Sequence, residues 1–160
     1  MTISEAERAF HRKQAANSFN AAWDLLDKKR RSPAEDRRML DLAHASLLHW
    51  RLVGAPRQQA VGEWQVSRVH AALGDADLAV GYARSCLASC KKHRLDDVIH
   101  TANEGLARAY AVAGDLTRAT EHIDEARRLL QNLTLDREDR GIYEGQIRET
   151  ELLIRSARRK

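Results

Sequence analysis

Val69-His70-Ala71-Ala72-Leu73-Gly74-Asp75 returns forty positions later as Ala109-Tyr110-Ala111-Val112-Ala113-Gly114-Asp115. In each copy an apolar helical pattern ends at a glycine, which adopts the left-handed conformation without a steric penalty. An aspartate follows, whose carboxylate can cap the next helix. What comes after also matches, with small residues at Ala79 and Ala119 and at Cys86 and Ala126. A fixed period of about 20–50 residues marks stacked helical or strand units, each burying its apolar face against the next. The seventy residues Val61 to Leu130 therefore organise the chain.

Working outward, the sequence reads as seven helices. Ser4 with Glu7 makes a capping box, in which each side chain satisfies a free backbone donor of the other residue. This first helix is expected to run to about Arg30, with Phe19, Trp23 and Leu26 on one stripe and Lys28-Lys29-Arg30-Arg31 at its negative end. Ser32-Pro33-Ala34-Glu35 restarts the helix, with serine as cap, proline in the first turn and glutamate closing the box. Met39, Leu40, Ala43, Leu47 and Trp50 line the second helix, which stops at Gly54 before Pro56. The third, from Pro56 to Leu73, carries Val61, Trp64, Val66 and Val69. Asp75 or Asp77 is expected to cap the fourth, with Leu78, Ala79, Tyr82, Ala83, Cys86, Leu87 and Cys90 inward. Asp96 or Asp97 is expected to cap the fifth, which carries Val98, Ala102, Leu106, Ala109 and Tyr110. Leu116, Ala119, Ile123, Ala126 and Leu130 mark the sixth, and Asp136 caps a last, highly charged helix. A polar-faced terminal helix is what stops a stack from growing. No strand pattern and no linker divides residues 1–160, which read as one domain.

Composition supports this reading. The chain has only 8 Gly and 2 Pro, 31% charged residues and 5% aromatics, so the core must be mostly aliphatic. The net charge of +4 is spread with both signs interspersed, without the clustered basic face of a nucleic-acid binder. No run approaches the roughly 20 apolar residues that span a bilayer. The polar, acidic start Met1-Thr2-Ile3-Ser4-Glu5 does not read as a secretory signal. Its two cysteines stand four apart, a spacing that suits neither a disulfide nor a Cys-x-x-Cys redox site. A reducing, cytoplasmic setting is the expectation.

Residues 61–130 resemble two tetratricopeptide repeats. The resemblance rests on Ala107 and Tyr110 in one helix, Gly114-Asp115-Leu116 at the turn, and Ala119, Ile123 and Ala126 in the next. The earlier copy matches through Gly74-Asp75, Ala79, Ala83, Cys86 and Leu87, with His70 in the tyrosine position and Ser67 at the small one. A block containing His44-Ala45-Ser46, His49-Trp50 and Gly62-Glu63-Trp64-Gln65 also resembles uncharacterised bacterial proteins of this repeat type. The resemblance implies an all-α superhelix of about three helix pairs plus a capping helix. It implies a protein–protein interaction or scaffold module, with the first helix of each pair facing a concave groove and no catalysis.

On that expectation, steps of forty align Lys28, Arg68, Arg108 and Arg148 as a cationic ladder beside a column of Asp24, Trp64, Glu104 and Glu144. Guanidinium groups in a row can each hold a carboxylate through paired hydrogen bonds, and an adjacent indole gives a flat apolar anchor. Trp64, Arg68, Glu104, Arg108, Glu144 and Arg148 are thus the candidate partner-binding residues, for a protein or an acidic peptide. Asp24–Lys28, Glu104–Arg108 and Glu144–Arg148 also read as ordinary i, i+4 pairs on exposed faces, each worth about 0.2–0.5 kcal/mol. The known carboxylate-clamp residue set of the family is not reproduced.

Three other constellations stand out. His44, His49 and Glu63 suggest an alternative metal-dependent or acid–base enzyme, although five residues turn the two histidines about 140° apart around a helix. Cys86, Cys90 and His93 share a helical face but lack a fourth zinc ligand. Arg38 and His44 have a spacing similar to that of helical nucleotide-binding ribonucleases, which chance supplies easily in a chain rich in Arg and His. No metal or cofactor is expected. A sensor half of a regulator and self-association through the last helices stay open.

Overall fold

The structure, a computed structural model, describes residues 2–159. Among these, seven helices and no strand occur: α1 (Glu5–Leu26), α2 (Pro33–Val53), α3 (Pro56–Ala72), α4 (Ala76–His93), α5 (Ile99–Ala113), α6 (Leu116–Gln131) and α7 (Arg137–Ala157).

The helix starts follow from local chemistry. Both capping boxes form: the Glu7 and Glu35 amides donate to Ser4 Oγ and Ser32 Oγ at 3.2 Å, and both glutamates accept from the serine amides. Asp75, Asp115 and Asp136 cap α4, α6 and α7 through their side chains. At the other ends, Gly54, Gly74 and Gly114 take positive φ, and Arg94 does so as a non-glycine residue. Two boundaries differ from expectation. α1 ends at Leu26 because Arg31 ties the connection down, bonding Asp36 at 2.7 Å and the Leu25 carbonyl at 3.4 Å. α5 begins without a side-chain cap at Val98, a buried residue, and Asp97 turns outward to pair with Arg57 at 2.8 Å. Leu78, expected inward, is 47% exposed on the first turn of α4.

Each helix packs on its successor, and α1, α3, α5 and α7 additionally touch in that order along one side. The core accordingly runs along the chain instead of radiating from one centre. Met39, Ala43, Leu47, Val66 and Val69 join α2 to α3, with Ala22 of α1. Trp64, Cys86, Cys90 and Ala102 join α3 to α5 through α4. Leu106, Tyr110, Ile123, Leu130, Ile147 and Ile154 carry the contact on to α7. Fully buried alanines such as Ala43, Ala79, Ala102, Ala119 and Ala126 stand at these contacts, where a short side chain lets helix axes approach closely.

The forty-residue period is reproduced in side-chain contacts. His70 stacks on Tyr82 (ring centroids 5.8 Å apart, interplanar angle 5°), and forty positions on Tyr110 stacks on His122 (5.6 Å, 12°). The two residue types have exchanged places. A third member recurs as well: His44 Nε2 lies 3.3 Å from His70 Nε2, and Arg84, its counterpart, donates to the Tyr110 hydroxyl at 2.9 Å. No described helix is long and apolar enough to cross a membrane.

Candidate binding groove

The helices α1, α3, α5 and α7 border a cavity of about 550 Å³. Its wall combines Phe19 and Trp23 of α1, Trp64 and Arg68 of α3, and Tyr143 and Glu149 of α7. Arg57 and Asp97 form an ion pair at one end. That volume is typical of ligand pockets, which run from about 300 to 1,000 Å³.

Behind Arg68 and Glu149 of this lining lies a network of two arginines and two glutamates. Glu104 is 2% exposed and accepts from Trp64 Nε1 at 2.8 Å, Thr150 Oγ1 at 2.6 Å and Arg108 Nε at 3.1 Å. Arg68 Nη1 stands 3.7 Å from the same carboxylate. Burial alone would raise the Glu104 pKa, but Arg108, Arg68 and the donated hydrogen bonds hold it below the ordinary carboxylate value. Arg68 shows the converse: burial, then the neighbouring Arg108, pull its pKa down against the two carboxylates. Its guanidinium sits over Trp23 (5.0 Å) and Trp64 (5.8 Å), whose own rings are 5.5 Å apart. Cation–π contacts of this kind strengthen as water is excluded. Glu149 completes the set from α7, accepting from Arg68 Nη2 at 2.8 Å and Arg108 Nη2 at 3.4 Å.

The structure therefore unites four of the six candidate residues, Trp64, Arg68, Glu104 and Arg108, and separates two. Arg148 is exposed on α7, and Glu144 pairs with Arg140 of its own helix at 3.9 Å. The four-cation ladder does not form. Lys28 falls beyond the end of α1 and bonds Glu35, while Arg148 misses the groove by one residue. The spacing from α5 to α7 is forty-one: Leu106 and the buried Ile147 are that far apart, as are Arg108 and Glu149. An acidic side chain thus meets the two arginines where a third cation was expected. Trp64, expected as an accessible anchor, is 4% exposed and forms part of the floor. Its indole lies against Gly105, where a Cβ would come within 2.8 Å of Trp64 Cδ1. Glu149, Thr150 and Gly105 were missed. Aligning the apolar Ile147 of α7 with Leu106 of α5, instead of counting in forties, is the signal that finds Glu149.

The alternative sites disperse. His49 Nδ1 meets His11 Nδ1 at 2.8 Å, and His44 meets His70. Glu63 accepts from Ser85, Ser89 and Arg51, at 3.2, 2.9 and 3.4 Å. His44, His49 and Glu63 therefore do not converge on one point. Cys86 and Cys90 are buried, and the hydrogen bond to Cys90, followed by burial, pushes the Cys86 thiol up, away from the nucleophilic thiolate. His93 is exposed. Among the described residues no three His, Cys, Asp or Glu side chains gather in a metal-binding arrangement. No protein-family model matches the chain, and no curated protein matches it.

Proposed function

We propose that the chain is a tetratricopeptide-like interaction module, a superhelical stack of about three helix pairs closed by α7, that holds a segment of a partner protein. The partner would lie in the groove floored by α3 and α5 and walled by α1 and α7. The observation that carries this reading is the cavity itself: a partly apolar recess where two tryptophans and a largely buried arginine meet on the face shared by the odd-numbered helices. The order of helix contacts and the recurrence of the stacked His–Tyr pairs at forty residues support the repeat relationship. Binding of this type requires only shape and charge complementarity, and no reacting group is assigned.

The test exploits two glycines of α7. Gly141 and Gly145 line the cavity, and a Cβ at either meets nothing within 4 Å. A Gly141→Trp/Gly145→Trp variant fills the groove while improving helix propensity. Affinity capture from cells that naturally make the protein is expected to recover a partner with the parent and lose it with this folded variant. Equal recovery by both would place binding elsewhere and sink the groove reading.

A further inference from the structure

Glu149 makes an unusual third side to the central network. Arg68 and Arg108 have side chains only 11% and 16% exposed, whereas that of Glu149 is 60% exposed. Two largely desolvated cations therefore share one desolvated anion, Glu104, and receive the second from the solvent side. Arg68 also retains unused capacity: its Nη1 is buried and has no hydrogen-bond partner. An arginine with a free, buried donor is a group a further acceptor can satisfy.

The surroundings define what that acceptor is attached to. Arg68 and Glu149 line the 550 Å³ cavity on one side and a second recess of about 280 Å³ on the other. Phe19, Trp23 and Tyr143 line the first; Leu26, Val112 and Leu153 line the second. The Arg68–Glu149 pair is thus a polar bridge between two apolar hollows. α7 does not depend on that bridge for its position, because Ile147, Thr150 and Ile154 of the same helix are buried. Glu149 can swing into water with its helix in place.

Resting on the groove reading above, we propose that Glu149 is an internal stand-in for the guest. The site takes a peptide segment with an acidic residue between apolar ones, whose carboxylate replaces Glu149 on Arg68 and Arg108. The flanking apolar side chains enter the two hollows. Asp27 on the cavity wall disfavours a polyphosphate backbone, which would bring charge against it, and Asp97 already holds Arg57, whereas a single carboxylate is placed on Arg68 and Arg108 alone.

Random short peptides displayed on phage, selected in parallel on the wild-type chain, on Glu149→Ala and on Gly145→Trp, test this. The expected yield is peptides with Asp or Glu flanked by apolar residues, absent from the Gly145→Trp selection. A synthesised peptide of this class is expected to bind Glu149→Ala about three- to fivefold tighter than wild type, the scale of one half-exposed ion pair. Replacing the peptide's carboxylate by its amide should weaken wild-type binding about tenfold or more. Helical circular dichroism and thermal melts check each variant, and Glu149→Gln serves if Glu149→Ala is unfolded. Groove-dependent peptides without acidic residues would overturn this proposal alone and leave the binding reading standing. So would unchanged or weaker affinity in both Glu149 variants. No enrichment on any of the three proteins counts against both readings.

Discussion

At the scale of single residues, Gly105 and Gly81 separate two roles that a sequence cannot tell apart. Both stand inside helices, where glycine costs about 1 kcal/mol relative to alanine. A Cβ at Gly81 meets nothing within 4 Å, so Gly81→Ala is expected to stabilise the protein by about 0.5–1 kcal/mol. A Cβ at Gly105 would lie 2.8 Å from an indole that cannot retreat, because Trp64 Nε1 is bonded to Glu104. Gly105→Ala is therefore expected to lower stability by about 1–2 kcal/mol net, overpacking outweighing the propensity gain. Urea unfolding of the two variants measures the difference, and a stabilised Gly105→Ala would show that Trp64 is loosely held.

Among elements, the two helix pairs α3–α4 and α5–α6 use one contact scheme with residues exchanged. His70 and Tyr82 in the first occupy the places of Tyr110 and His122 in the second. Aromatic pairs of this kind contribute about 0.5–1.5 kcal/mol beyond buried area. Each of His70→Tyr and Tyr82→His alone leaves a pair the second unit does not use. The double exchange reproduces the arrangement already present forty residues on, with His44 placed to donate to the hydroxyl as Arg84 does. Thermal melts of the two single variants and the double are expected to show a favourable coupling of about 1 kcal/mol. Strict additivity would mean that the shared geometry carries no shared energetics.

For the whole molecule, burial of histidine sets the response to acid. Five of the seven histidines, His44, His49, His70, His100 and His122, are pushed below the ordinary value, each chiefly by burial. His100 falls furthest, to about 4, held 2% exposed beneath Tyr143 with its ring centroid 4.5 Å away. Between the unfolded value near 6.5 and about 4, the unfolded chain binds more protons than the folded one. Stability is thus fully present above pH of about 6.5 and is lost as pH falls toward 4, with His100 alone accounting for about 3 kcal/mol. Melting temperatures taken across this window are expected to drop steadily, and His100→Leu to flatten the drop. A wild-type melting temperature independent of pH between those limits would contradict the burial argument. Loss of His100 neutrality acts on α7, since Tyr143 belongs to that helix, and so on the wall of the groove.

Most of the fold was legible because its determinants are local. Ser4, Ser32, Asp75, Asp115 and Asp136 start helices, and Gly54, Gly74 and Gly114 end them, through bonds reaching at most a few residues. Arg68, Arg108, Trp64 and Glu104 could be grouped for the same reason, since a repeated helix places equal positions on equal faces. The sequence by itself thus determined seven helices, their order and the pair of arginines that face one side. Only the tertiary structure decided how α7 slides against α5, and that offset of one residue exchanges Arg148 for Glu149. It also decided that Trp64 is floor instead of anchor and that His44, His49 and Glu63 part company. The physical reason is that one residue rotates a helix by about 100°, so a register set by long-range packing of Ile147 and Ile154 chooses the sign of the charge in the groove.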